Sequence, residues 1–193
     1  MGIGNPLLDI VVTVDPHFVQ KYNLKIHDAT MITDDKLDYY QEMIQDLLAT
    51  YDKGIKYIAG GSAQNVIRVA QVRSLYMELL PSMDRGVLVV VHATFHLQWI
   101  LSSWHSTVFM GAIGADDFGK ILFHKLLDDG VIGQYQIVDS FPTGTCLALI
   151  TGTKRTLVAC LGAAECFRTE FLRDPQNFSW VESAQYYFIS VRT

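Results

Sequence analysis

Two stretches of this 193-residue chain place polar groups where a small hydroxylated ligand could be held. In Gly60-Gly61-Ser62-Ala63-Gln64-Asn65, two glycines leave bare backbone that a ligand can approach, and a polar run opens an amphipathic segment. Asn65 can donate to and accept from a hydroxyl, and Ser62 can cap the following helix by taking up a free amide of its first turn. In Gly4-Asn5-Pro6-Leu7-Leu8-Asp9-Ile10 a turn signal leads into a β-branched strand that carries Asp9 near its start. An ionised carboxylate has two acceptor oxygens and suits a pair of vicinal sugar hydroxyls, although a capping or strand-start aspartate reads the same way. Taken alone, the glycine pair also fits an ordinary strand-to-helix turn.

Elements able to position these groups follow in order. Ala29 to Ile32 reads as a short strand. Leu37, Tyr40, Ile44, Leu47 and Leu48 then recur at helical spacing from Asp34 to Tyr51, with Asp34 as the expected cap. Val108 to Gly114 is a buried strand, and Asp116 is placed to cap a helix from Phe118 to Asp129 that Gly130 ends. Pro142 to Ile150 turns into a strand, Thr151 to Arg155 is a hairpin turn, and Thr156 to Ala164 is the expected return strand. Trp180 to Ser190 runs from a short helix into a strand at Tyr186 to Ile189. Alternating strands and helices predict an α/β fold. Gly114 to Lys120 matches the spacing of a phosphate loop, but Ile121 stands where Ser or Thr must hold magnesium, which rejects that reading.

Half of the residues are hydrophobic and 18% are charged, enough to bury a substantial core. A net charge of −5 without a basic run argues against a nucleic-acid surface. Cys146, Cys160 and Cys166 form no metal-spaced set, and their odd number favours a reducing, cytosolic setting. The apolar run Gly86 to Leu101 is interrupted by His92, His96 and Gln98 and falls short of the roughly 18 residues a membrane span needs.

Jointly, G-N-P-L-L-D-I, A-G-G-S-A-Q-N, G-A-I-G-A-D-D-F-G, P-T-G-T-C and I-T-G-T-K-R-T-L resemble the ribokinase-like carbohydrate and nucleoside kinases, and among them the adenosine kinase family. The resemblance implies a parallel sheet flanked by helices with a small β lid, the lid drawing on residues near 10–33, 58–61 and 141–163. It assigns Asp9 to the ribose 2′- and 3′-hydroxyls, places Asn5 beside the nucleoside and Met31 against the base, and has Gly60, Gly61, Ser62 and Asn65 contact the nucleoside. Cys146, Leu157, Ala159 and Leu161 would wall the adenine, and Arg155 would face the phosphates, where a guanidinium can stabilise transferring charge. For the apolar four, ordinary hairpin packing is an alternative, as a solvated turn is for Arg155.

The implied reaction moves the γ-phosphoryl group of ATP to the 5′-hydroxyl of adenosine, giving AMP in purine salvage, in the cytoplasm or the nucleus. ATP and Mg2+ serve the complete family enzyme. Its base and anion hole come from a D-T-x-G-A-G-D stretch that these 193 residues lack, so the resemblance puts no catalytic residue here. The expectation is a truncated form, inactive alone, unable to hold ATP fully and poorly soluble along an open sheet edge. A ribokinase-type sugar kinase and a non-catalytic nucleoside- or kinase-binding partner are the alternatives.

The resemblance pauses after Gln71 and resumes at Trp99. Val72-Arg73 can be encoded by a splice donor and Thr94 to Gln98 by an acceptor, so Val72 to Gln98 is expected to be a retained intron translated in frame. Its removal would join R-V-A-Q to W-I-L as one helix, which Pro81 and Gly86 otherwise break. A genuine surface insertion is the alternative. At the other end Val191-Arg192 repeats the donor pattern, and the first strand is expected either to begin upstream of Met1 or to be clipped.

Overall fold

The computed structural model describes residues 1–79 and 107–190. Its first two strands are one extended run broken at Asn5-Pro6, and the break sends them into different sheets: β1 (Gly2–Gly4) and β2 (Leu7–Thr13). Proline brings no N–H to a ladder, so the change of sheet falls where pairing would be interrupted anyway.

The first sheet is parallel and runs β6 (Ile132–Val138), β5 (Val108–Gly114), β1, β9 (Phe188–Ser190). All seven residues of β5 are buried, as a central parallel strand requires. β1 is only three residues long but pairs on both sides, Gly2 with Phe109 and with Phe188. The amine of Met1 donates to Tyr186 O at 2.7 Å, extending that contact. Helices α3 (Ser62–Leu79) and α4 (Asp117–Asp128) cover one face, where Ala63, Ile67, Leu122 and Leu126 meet Phe109, Ile113 and Tyr135. Opposite, Ala112 and Val138 pack on Ala163 of a 3-10 turn, Gly162–Cys166.

The second sheet is mixed and runs β3 (Ala29–Ile32), β8 (Lys154–Cys160), β7 (Thr145–Thr151), β2, β4 (Lys56–Gly60). Its even-numbered β2 residues alternate inward, and Ile10 and Val12 join Leu147, Leu149 and Val158 beneath α1 (Pro16–Lys21) and α2 (Leu37–Tyr51). Tyr40 of α2 lies in that core, its hydroxyl donating to Thr145 O at 3.1 Å and standing 3.0 Å from Thr145 Oγ1. Burial pushes the Tyr40 hydroxyl pKa up, keeping the donor protonated. Two short helices, α5 (Thr169–Arg173) and α6 (Pro175–Ser183), lead to β9.

Four local expectations are corrected. A 3-10 turn occupies Asp34–Lys36 and α2 begins at Leu37, because Lys36 N–H already bonds Thr33 O at 2.9 Å and the Thr33 hydroxyl engages Asp35. Ser62 is the first helical residue, not the cap. Gly61, at φ +89°, takes the cap position, and its carbonyl receives Asn65 N–H at 2.9 Å. The return strand ends at Cys160, where Gly162 at φ +47° turns the chain into the 3-10 segment. Strand β9 begins at Phe188, not Tyr186. Helix α1 was not foreseen, although Asp15-Pro16 is a start signal: Asp15 Oδ1 accepts from Phe18 N–H at 3.1 Å.

As for the expected intron, α3 carries the chain through Gln71 to Leu79, and the rest of Val72 to Gln98 lies outside the described residues. Among the described residues, no helix is long and apolar enough to cross a membrane.

Candidate functional site

The register of the second sheet aligns Met31, Ala159, Cys146, Asp9 and Ile58 in one row across all five strands. Residues opposed in this way share a face of the sheet, and this face is opposite the one that packs on α1 and α2. The adjacent row holds Ala29, Leu157, Ala148 and Val11. Arg155 lies two residues before Leu157 on β8 and so shares the face. Met31 and Ile58 close the row at 40% and 43% exposure, while Asp9, Cys146, Leu157 and Ala159 are half-buried. The result is a shallow, largely apolar floor with one carboxylate set into it.

That carboxylate rests on bare backbone. A Cβ added at Gly60 would stand 2.5 Å from Asp9 Oδ1 and 2.6 Å from Oδ2. Next to it Gly61 passes so close to Asn5 that any side chain would collide with the Asn5 carbonyl oxygen. Burial raises the Asp9 pKa, while the Arg155 and Arg68 guanidinium charges act against that rise. Burial, then the Asp9 carboxylate, push the Cys146 thiol up to about 11, with Arg155 opposing.

The glycine pair is held from behind by groups the sequence did not single out. Gln64 is fully buried. Its Nε2 donates to Gly60 O at 2.9 Å and its Oε1 accepts from the Tyr135 hydroxyl at 2.6 Å. Arg68 NH1 donates to Ala59 O at 2.6 Å, and its Nε pairs with Asp129 at the end of α4. A second clasp joins the two sheets. Asp116 caps α4 through Gly119 N–H at 2.8 Å, as expected, and also accepts from Thr143 N–H at 2.8 Å and the Thr143 hydroxyl at 2.5 Å.

The structure therefore brings Asp9, Met31, Cys146 and Ala159 into one row, sets Leu157 and Arg155 on the same face, and places Gly60 against Asp9, with Gly61 against the Asn5 carbonyl. Ser62 and Asn65 stand exposed on the first turn of α3. Leu161 lies past the end of β8, buried at 7% exposure, with its carbonyl against Gly144 rather than in the row.

Residues 92–192 match the model of the pfkB family carbohydrate kinases. The chain belongs to the pfkB family. Over 190 residues it is 34% identical to adenosine kinase 1 of Arabidopsis thaliana, an alignment covering 98% of this chain and 46% of that protein. The crystal structure of Anopheles gambiae adenosine kinase in complex with a diadenosine tetraphosphate superposes with a TM-score of 0.70 at 34% identity, covering 97% of this chain and 46% of that one. Schistosoma mansoni adenosine kinase, in complex with adenosine in an occluded-loop conformation, gives 0.68 at 28% identity over 97% and 45%. The chain thus spans about half the length of the relatives it matches.

Within this pfkB chain, Gln64 and Arg68 sit in the same first turns of α3 as the motif residues, yet neither type announces burial. The available signal was helical spacing: Gln64, Ile67 and Gln71 fall on the face that carries the buried Ala63. Among the described residues, no three His, Cys, Asp or Glu side chains lie together so as to hold a metal ion.

Proposed function

We propose that this chain is the acceptor-binding part of an adenosine kinase, the enzyme that phosphorylates adenosine to AMP with ATP. The observation that carries the reading is the row Met31–Ala159–Cys146–Asp9: apolar side chains that can take a purine face, ending in a half-buried carboxylate against bare backbone. Ionised Asp9 accepts two hydroxyl hydrogens of a ribose diol, Gly60 lets the ring lie close, and Asn65 contacts the sugar from α3. Met31, Cys146, Leu157 and Ala159 exclude water from the base. Leu161, just past the end of β8, supports that wall. Arg155, whose charge is felt at both Asp9 and Cys146, faces the phosphates.

ATP supplies the phosphoryl group. Among the described residues no three His, Cys, Asp or Glu side chains lie together to hold a metal ion; these residues bind and orient the acceptor, and no step is routed through Mg2+. The second sheet, built from residues near 10–33, 58–61 and 141–163, acts as the lid. A cytosolic or nuclear location suits the three free cysteines.

Calorimetric titration of the 193-residue chain tests the reading. Adenosine should bind at least about tenfold more tightly than ribose, because only the nucleoside covers the apolar row. Incubation with ATP, Mg2+ and adenosine should yield no AMP from the purified chain by itself. Equal affinity for ribose, or no binding of adenosine, would overturn the assignment and favour a sugar kinase or a partner protein.

A further inference from the structure

We propose that Arg68 is a positioning residue that turns the Asn65 side-chain amide, so that Asn65 meets its ligand as a hydrogen-bond donor. The inference rests on the nucleoside reading for its ligand and on geometry for its mechanism. Arg68 NH1 lies 3.0 Å from Asn65 Oδ1. A guanidinium has five donors and no acceptor, so the atom facing it has to be the amide oxygen, leaving the NH2 group turned away. Asn65 is otherwise exposed on a helix surface, where an amide reorients at little cost.

Arg68 can impose the orientation because it is itself fixed. Its Nε is paired with Asp129, its NH1 also donates to Ala59 O at 2.6 Å, and both ion-pair partners are about three-quarters covered, at 23% and 27% exposure. One planar fork thereby links the end of α4, the strand that leads into Gly60, and the side chain of Asn65. The arrangement complements Asp9. Ionised Asp9 only accepts, so a hydroxyl that gives its hydrogen to Asp9 is left with oxygen lone pairs, and the oriented Asn65 amide donates to such an oxygen. The pair then selects groups that donate and accept at once, which hydroxyls do and ketones or hydrogen do not.

Lysine at 68 keeps the charge but is a point donor without the fork, and cannot hold Asp129, Ala59 and Asn65 together. Two measurements on the 193-residue chain therefore test the proposal. In nitrogen relaxation of the free protein, the Asn65 side-chain amide should be ordered in the native chain and clearly mobile in Arg68→Lys, a readout that needs no ligand. In adenosine titrations, Arg68→Lys and Asn65→Ala should each weaken binding about tenfold. The double variant should be no more than about twofold weaker than Asn65→Ala, because Arg68 acts through Asn65. An equally mobile amide in both proteins, or losses that multiply to about a hundredfold, would overturn the proposal. If the amide is ordered by Arg68 but the native chain takes ribose and not adenosine, the nucleoside assignment falls and the positioning role stands.

Discussion

The carboxylate of Asp9 occupies the space that a side chain at Gly60 would need, within 2.5 Å of the missing Cβ. The neighbouring glycine is constrained differently, by a φ of +89° and by the Asn5 carbonyl, both of which are backbone. Two alanine substitutions should therefore fail in different ways. Gly60→Ala should keep its fold, since a carboxylate can swing aside, and lose adenosine affinity by about tenfold or more. Gly61→Ala should lose about 1–3 kcal/mol of stability, because neither the backbone conformation nor the carbonyl can yield. Urea melts beside calorimetry separate the two; equal destabilisation would sink the distinction.

Burial holds Asp9 above its ordinary pKa in the folded chain. The folded state then binds more protons than the unfolded state between 3.8 and the raised value, so stability falls as pH rises through that window and stays lower above it. Asp9→Asn removes this penalty. Its melting temperature should exceed that of the native chain at pH 7, with the difference closing below pH 3.8, while adenosine binding is lost. A variant less stable at pH 7 would mean that the two arginines outweigh burial.

Cys146 stands opposite Asp9 in the ladder, and its thiol is pushed up to about 11. Only about one such thiol in a thousand is ionised at pH 8, and the thiolate is the form that reacts. Mass mapping after brief iodoacetamide treatment at pH 8 should find Cys146 largely unlabelled. Asp9→Asn should speed its labelling by removing the adjacent negative charge, and adenosine should slow it further.

Tyr135 donates to the fully buried Gln64. Tyr135→Phe leaves a buried acceptor without its donor and should cost about 1–3 kcal/mol in denaturant melts. Gln64 Nε2 still holds Gly60 O, so adenosine affinity should change by less than about threefold.

Gln71 Oε1 accepts from Thr107 N–H at 3.2 Å and from the Thr107 hydroxyl at 2.7 Å. These bonds join the two sides of the intervening segment, while α3 itself continues past Gln71 to Leu79. On the reading of Val72 to Gln98 as an insertion, a chain lacking it should melt cooperatively at a temperature equal to or above that of the native sequence, the shorter connection between Gln71 and Thr107 saving about 1 kcal/mol of closure entropy. Loss of cooperative melting would show the insertion to be structural.

Asp9 shows what the sequence could and could not reveal. Its strand was readable from the β-branched run and the turn before it, and the register that aligns it with Cys146, Ala159 and Met31 was not. Pairing across sheets depends on distant crossings, which local patterns do not encode. For the same reason the site residues are legible in the sequence only through motif resemblance. Asp116 was correctly read as a cap, but its bonds to Thr143 join residues 27 positions apart and left no local trace. Gln64 and Arg68 were hidden by their chemistry, since polar types on a helix read as solvated until a buried partner is found. The misplaced caps at Asp34 and Ser62 reflect the weakness of helix-start signals when glycine or a 3-10 turn competes for the position.

The β1–β9 pairing also has a bearing on time. The Met1 amine meets the Tyr186 carbonyl across a sequence separation of 185 residues. On a ribosome adding roughly 5–20 residues per second, that contact waits on the order of 10–40 s after the first strand is made. Gly2 and Ile3 pair with β5 at Phe109 and Met110, and β8, the last strand of the second sheet to be made, ends at Cys160, ahead of β9. All five strands of the second sheet are thus made before Phe188 gives β1 its second partner. The order of synthesis therefore completes the row from Met31 to Ile58 before β1 gains its pairing with β9.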